Sequence, residues 1–219
     1  MSKEELQDPL KPLSEIREPD GRQKNFLSTL ENNHVMLSDI NLIEDVPIDV
    51  CQLFETAKNL SLYSWFVYRF HQVSEMVAYA SLEMALKQLY TRENPDKDPP
   101  MLRALLKYAR KTGWLKNEDF SYRMEIAYQN AKQNKMDDVI QSGVLKNEGD
   151  SIPIEEPSEE EIKAALNSLD LVGGFVKATP ELRNTLAHGS NMLRPNSIWT
   201  LQHIAEVINM AYKNTTLPQ

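Results

Sequence analysis

Ser74-Glu75-Met76-Val77-Ala78-Tyr79-Ala80-Ser81-Leu82-Glu83-Met84-Ala85-Leu86-Lys87-Gln88-Leu89-Tyr90 decides the fold class of this chain. Its apolar residues recur at helical spacing, not in strand alternation. The same spacing extends from Asp49 to about Arg92. Leu62, Trp65/Phe66, Val73, Val77, Ala80 and Met84 make one stripe, and Tyr79, Leu82, Leu86 and Tyr90 make a second. A helix with two apolar stripes needs neighbours on both sides, so this one is expected at the centre of a bundle. The run is long for one globular helix, and a break is expected near Asn59-Leu60-Ser61.

Pro47 opens the helical body and Glu93 to Pro100 reads as a loop. Met101 to Lys111 is the next helix, stopped by Thr112-Gly113, with Leu102, Leu105, Leu106 and Ala109 inward. Arg103, Lys107 and Arg110 fall on its other face. Asp119 is positioned to cap a helix reaching Lys135, and Gly143 to Pro157 is an acidic loop. Ser158-Glu159-Glu160-Glu161 is a capping box for a helix carrying Ile162, Ala165, Leu166, Leu169 and Val172. Gly173-Gly174 marks a kink or a close helix contact. Thr179-Pro180 reads as a second start, an N-cap followed by Pro, for a short helix ending at Gly189. The last helix runs from about Ser197 to Tyr212, with Ile198, Leu201, Ala205, Ile208 and Met210 inward.

The N-terminal part differs. Residues 1–25 are charged and contain Pro9, Pro12 and Pro19, a composition that cannot bury a core of its own. Residues 33–46 hint at strand alternation or a packed extended segment. The expected architecture is therefore all-α: an irregular, partly disordered or extended arm over 1–46 and a bundle of five to seven helices over 47–219.

Composition narrows the function. At 219 residues with 7 glycines, one helical domain plus decorations is expected. Cys51 is the only cysteine, which excludes an internal disulfide and a multi-cysteine zinc site. No His/Asp/Glu cluster at ligand spacing appears, so no metal or cofactor is expected. No stretch approaches the roughly 20 apolar residues of a membrane span, and Met1-Ser2-Lys3-Glu4-Glu5 does not open a signal peptide. A cytoplasmic location is the expectation. The net charge of −8 argues against a general nucleic-acid coat but leaves room for a local basic site.

The order of parts carries a resemblance. A long two-sided helix, a shorter helix with Leu102, Leu105 and Leu106, then Arg183-Asn184-Thr185-Leu186-Ala187-His188 after Pro180, and a final amphipathic helix, resemble the HEPN superfamily over roughly residues 50–213. The hallmark of that superfamily is Arg, a polar residue, three variable positions and His. The resemblance implies a helical bundle, two-fold homodimerisation and, in many members, metal-independent RNA cleavage of toxin or defence type. Other members keep the fold without the activity and bind a partner protein or nucleotide.

The residues themselves fit that chemistry. On a helix Asn184 and His188 share a face, and Arg183 is long enough to reach the same space. Attack by a 2′-hydroxyl needs a base, a cation for the phosphorane and an acid for the leaving oxygen. Imidazole serves as base or acid near pH 7, and guanidinium forks onto phosphate. One motif His per chain is too few for both proton transfers, and a two-fold dimer supplies the second. Arg183, Asn184 and His188 are thus the candidate catalytic residues, with Arg103, Lys107 and Arg110 as candidate RNA contacts. The bland alternatives stand beside them. Arg183 can pair with Glu181 or a neighbouring helix, His188 can be a plain helix-terminal His, and the basic face can simply be solvated. Glu83 can orient a catalytic group or pair with Lys87, and His71 with Glu75 makes the same kind of pair. An antitoxin or other partner protein fits either functional reading.

Overall fold

The computed structural model describes residues 8–25, 27–141, 155–188 and 193–215. Among them are eight α-helices and no strand: α1 Leu30–Ser38, α2 Ile48–Tyr63, α3 Phe70–Glu93, α4 Leu102–Thr112, α5 Arg123–Gln141, α6 Glu159–Ser168, α7 Leu171–Ala187 and α8 Ser197–Asn214. The all-α class is as expected; seven of these helices lie in 47–219, and the eighth, α1, lies in the arm where an irregular segment was expected.

Helix α3 is the central one. It contacts α2, α4, α7 and α8, and its buried residues include Ala78, Tyr79, Leu82, Glu83, Leu86 and Leu89. Helix α2 runs antiparallel to it, because Gln88 bonds Asp49 while Ser74 donates to the Ala57 carbonyl. Helix α8 runs parallel, because Ser197 meets His71 and Tyr212 donates to the Ala85 carbonyl. Leu105 and Leu106 of α4 and Leu201, Ile204 and Ile208 of α8 complete the shared core. Trp114, just past α4, is 2 % exposed and donates its indole N–H to Glu93 at 3.1 Å. Helices α5 and α6 pack on each other around a separate small cluster of Ala127, Ala131 and Ala165.

Several boundaries move for identifiable reasons. The long run breaks after Tyr63, not at 59–61, in a turn where the Ser64 amide and hydroxyl both reach the Ser61 carbonyl. Residues 33–46 are not extended throughout. Thr29 caps α1 by accepting the Asn32 amide, and an irregular segment follows. Asp119 sits in a short 3-10 turn at Asn117–Asp119, and α5 starts at Arg123. The capping box at Ser158 forms with both of its bonds. Its helix stops at Ser168, because Asp170 begins a new one by accepting the Gly173 amide at 2.9 Å. Gly173 is the close contact: a Cβ there would lie 2.0 Å from the Asp170 carboxylate and 2.8 Å from Arg110. Thr179-Pro180 is not a helix start. Both lie inside α7, buried, and burial of this turn outweighs the lost Pro180 amide bond. Gly189, expected to end that helix, lies outside the described residues.

The N-terminal arm touches the α2–α3 corner. Arg22 pairs with Asp8 and Asp20 and covers the Tyr68 ring at 4.4 Å. Arg69 reaches Asp8 at 2.7 Å, and buried Gln23 donates to the Ser64 carbonyl at 3.3 Å. Among the described residues no helix is long and apolar enough to cross a membrane.

Candidate functional site

Helix α7 carries the whole Arg183–Ala187 segment, with His188 as its C-terminal cap residue. Leu186 packs against the core, which turns the opposite side outward. Asn184 and His188 are both exposed on that side, joined by the His188 amide bond to the Asn184 carbonyl at 2.9 Å. Neither side chain has a hydrogen-bond partner among the described residues. Thr185, also exposed, bonds back to the Glu181 carbonyl at 2.8 Å.

Arg183 is half-buried and faces α3. Its guanidinium lies 3.4 Å from Glu83, whose other oxygen holds Lys87 at 2.8 Å. Glu83 therefore makes the pair along its own helix that the sequence allowed, and also contacts Arg183 of α7. Glu181, the local alternative for Arg183, instead faces Arg103 across the groove between α4 and α7 at 3.8 Å.

The basic face of α4 is largely engaged with α7. Arg110 bonds Asp170 at 2.9 Å, and Arg103 faces Glu181. The pairing marks α4 as antiparallel to α7, since 103 meets 181 and 110 meets 170. Lys107, exposed between them, has no ion-pair partner among the described residues.

Two polar groupings were not visible in the sequence. His71 does not pair with Glu75. Its Nδ1 meets Ser197 Oγ at 2.7 Å and its Nε2 meets Ser64 Oγ at 3.1 Å, while Ser61 Oγ meets Ser197 Oγ at 2.6 Å. All four residues are buried, and burial pulls the His71 pKa down to about 4. Glu75 is half-buried with no hydrogen-bond or ion-pair partner among the described residues, and burial pushes its carboxyl up to about 7. The second grouping is an aromatic stack at the start of α8. Trp199 lies on His203 with centroids 5.1 Å apart and planes 14° apart, and His203 lies on Tyr122 at 5.0 Å. The i,i+4 spacing of Trp199 and His203 was the available signal. Tyr122 comes from 81 residues away in sequence and gave none.

The end of α7 presents the Asn184 amide and the His188 imidazole to solvent, whereas the Arg183 guanidinium is turned toward α3 and held by Glu83. The chain matches no family model, no curated protein and no solved structure.

Proposed function

We propose that this protein is a metal-independent endoribonuclease of HEPN type, working as a two-fold homodimer with the Arg183–His188 segments of two chains facing each other. The observation that carries the reading is the shared exposure of Asn184 and His188 on one face of α7, the helix that also carries Arg183 on its α3-facing side. In the proposed reaction one His188 takes the 2′-hydroxyl proton and the 2′-oxygen attacks phosphorus. The P–O5′ bond breaks, and the departing 5′-oxygen takes a proton from the partner chain's imidazolium. Arg183 balances charge on the phosphorane, and Asn184 orients the sugar hydroxyl or the ring. Lys107, with Arg103 and Arg110 when released from their pairs, would meet flanking phosphates.

The test is incubation with structured and single-stranded RNAs, with and without EDTA. Cleavage that survives the chelator and leaves 2′,3′-cyclic phosphate and 5′-hydroxyl ends supports the proposal. Chelator-sensitive cleavage, or 5′-phosphate products, contradicts it. A second reading is a silent HEPN-like domain that binds a partner protein or nucleotide. It is favoured by one feature, the Glu83 pair that already neutralises Arg183 inside the chain.

A further inference from the structure

The outward face of α8 is an open trough. Trp199, Gln202, Glu206, Asn209 and Lys213 follow one another along it at helical spacing, while the neighbouring positions Leu201, Ile204, Ala205 and Ile208 are buried. The turn after α1 forms one wall and the segment Asp119–Tyr122 forms the other, and the trough has two lobes of ≈ 640 and ≈ 430 Å³ that share Ser121, Gln202 and Glu206. At 1.5 Å rise per residue, Trp199 to Lys213 spans ~21 Å, the length of about six extended residues.

Its chemistry is lopsided. Among the described residues, Asp39, Asp119 and Glu206 line the trough against a single cation, Lys213. Glu206 is tied by the Ser121 amide at 2.7 Å and Asp119 by the Asn214 side chain at 2.6 Å. These donors are neutral, so they fix the carboxylates in place without cancelling their charge. At one end Trp199 is 65 % exposed, yet its ring is held flat by stacking on His203. An exposed, stacked indole in the same lobe as the fixed Glu206 carboxylate, with Asp119 and Asp39 in the adjoining lobe, suits guanidinium groups, which stack on a ring face or bond carboxylate oxygens. The same negative charge repels phosphate, so nucleic acid does not suit this face.

We propose that the α8 trough binds an extended, arginine-bearing segment of a partner protein, with one guanidinium on Trp199 and others along Glu206, Asp119 and Asp39. The site is separate from the residues of the proposed ribonuclease and does not depend on that reading.

The experiment is calorimetric titration of the full chain with hexa-arginine, hexa-lysine and hexa-glutamate, repeated with oligouridylate. The proposal expects saturable one-site binding of hexa-arginine, weaker binding of hexa-lysine and none of hexa-glutamate. Trp199→Ala should weaken hexa-arginine roughly tenfold and Trp199→Phe much less, because the aromatic face remains. Glu206→Gln keeps an acceptor for the Ser121 amide and removes the charge, and should weaken binding severalfold with an unchanged melting temperature. Glu160→Gln, on α6, is the control for general attraction to an acidic protein and should change nothing. Equal binding by wild type, Trp199→Ala and Glu206→Gln would overturn the proposal, as would an equal loss from Glu160→Gln, absence of binding, or competition by oligouridylate.

Discussion

The Arg183 guanidinium lies 3.4 Å from the Glu83 carboxylate, and Lys87 closes on the other oxygen of the same group at 2.8 Å. Glu83 is almost buried, whereas both cations are about one-third exposed. The pair is thus a tether between α3 and α7 and not a solvated surface contact. Glu83→Ala should cost about 1–2 kcal/mol, since the freed cations can partly hydrate. Glu83→Gln should cost less, because it keeps an acceptor. Urea denaturation of the two variants checks the order, and equal stability of wild type and Glu83→Ala would remove the tether from the account.

His71 makes stability depend on acid. Its folded pKa, about 4, lies below the ordinary value of 6.5, so between those limits the unfolded chain binds more protons. Stability from this group is complete above pH 6.5, falls as the pH drops toward 4, and levels off below. Relative to His71→Gln, wild type should lose about 2–3 kcal/mol across that window. Denaturation curves taken at pH 7, 5.5 and 4.5 measure it, and a constant difference between the two proteins contradicts it.

Glu75 acts with the opposite sign. Its folded pKa, about 7, is above the ordinary 4.5, so the folded chain holds the extra proton between them. Stability from this group is lost as pH rises through that window. Glu75→Gln removes the buried charge and should stabilise the protein by about 1 kcal/mol at pH 8, after allowance for the solvent that reaches this half-buried side chain. The gain should vanish near pH 4.5. Melting temperatures of both proteins at the two pH values decide it.

The capping box of α6 gives a local prediction. Ser158 accepts the Glu161 amide at 3.3 Å and donates its own amide to Glu161 at 2.7 Å. Ser158→Ala should destabilise α6 by about 1 kcal/mol. Because α5 and α6 share their own small cluster, the effect should appear as faster hydrogen exchange of α6 amides with little change in the global melt. Faster exchange spread evenly over α3 and α8 would show that the two clusters are not separable.

Signals carried by neighbouring residues were readable from the sequence. The two-sided pattern of α3, the stop at Gly113 with φ 77°, and the Ser158 box each depend on residues within one or two turns. Helix α1 offers almost no periodic stripe to read, because Leu37 is its only buried residue. Thr179-Pro180 has the local chemistry of a cap although it lies inside α7. Only the burial of both residues against other helices shows that the helix continues through them. At the candidate site the shared face of Asn184 and His188 followed from spacing alone. The Arg183–Glu83 contact joins residues 100 apart in sequence and required the fold.

The most direct measurement is the single-turnover rate of RNA cleavage by wild type and His188→Ala, with circular dichroism confirming that both are folded. His188 is exposed at the end of α7, so the substitution should leave the melting temperature unchanged. If the imidazole moves protons in the transition state, the rate should fall by roughly 10²–10⁴-fold. Equal rates for the two proteins, or no cleavage of any RNA by wild type, would contradict the ribonuclease assignment.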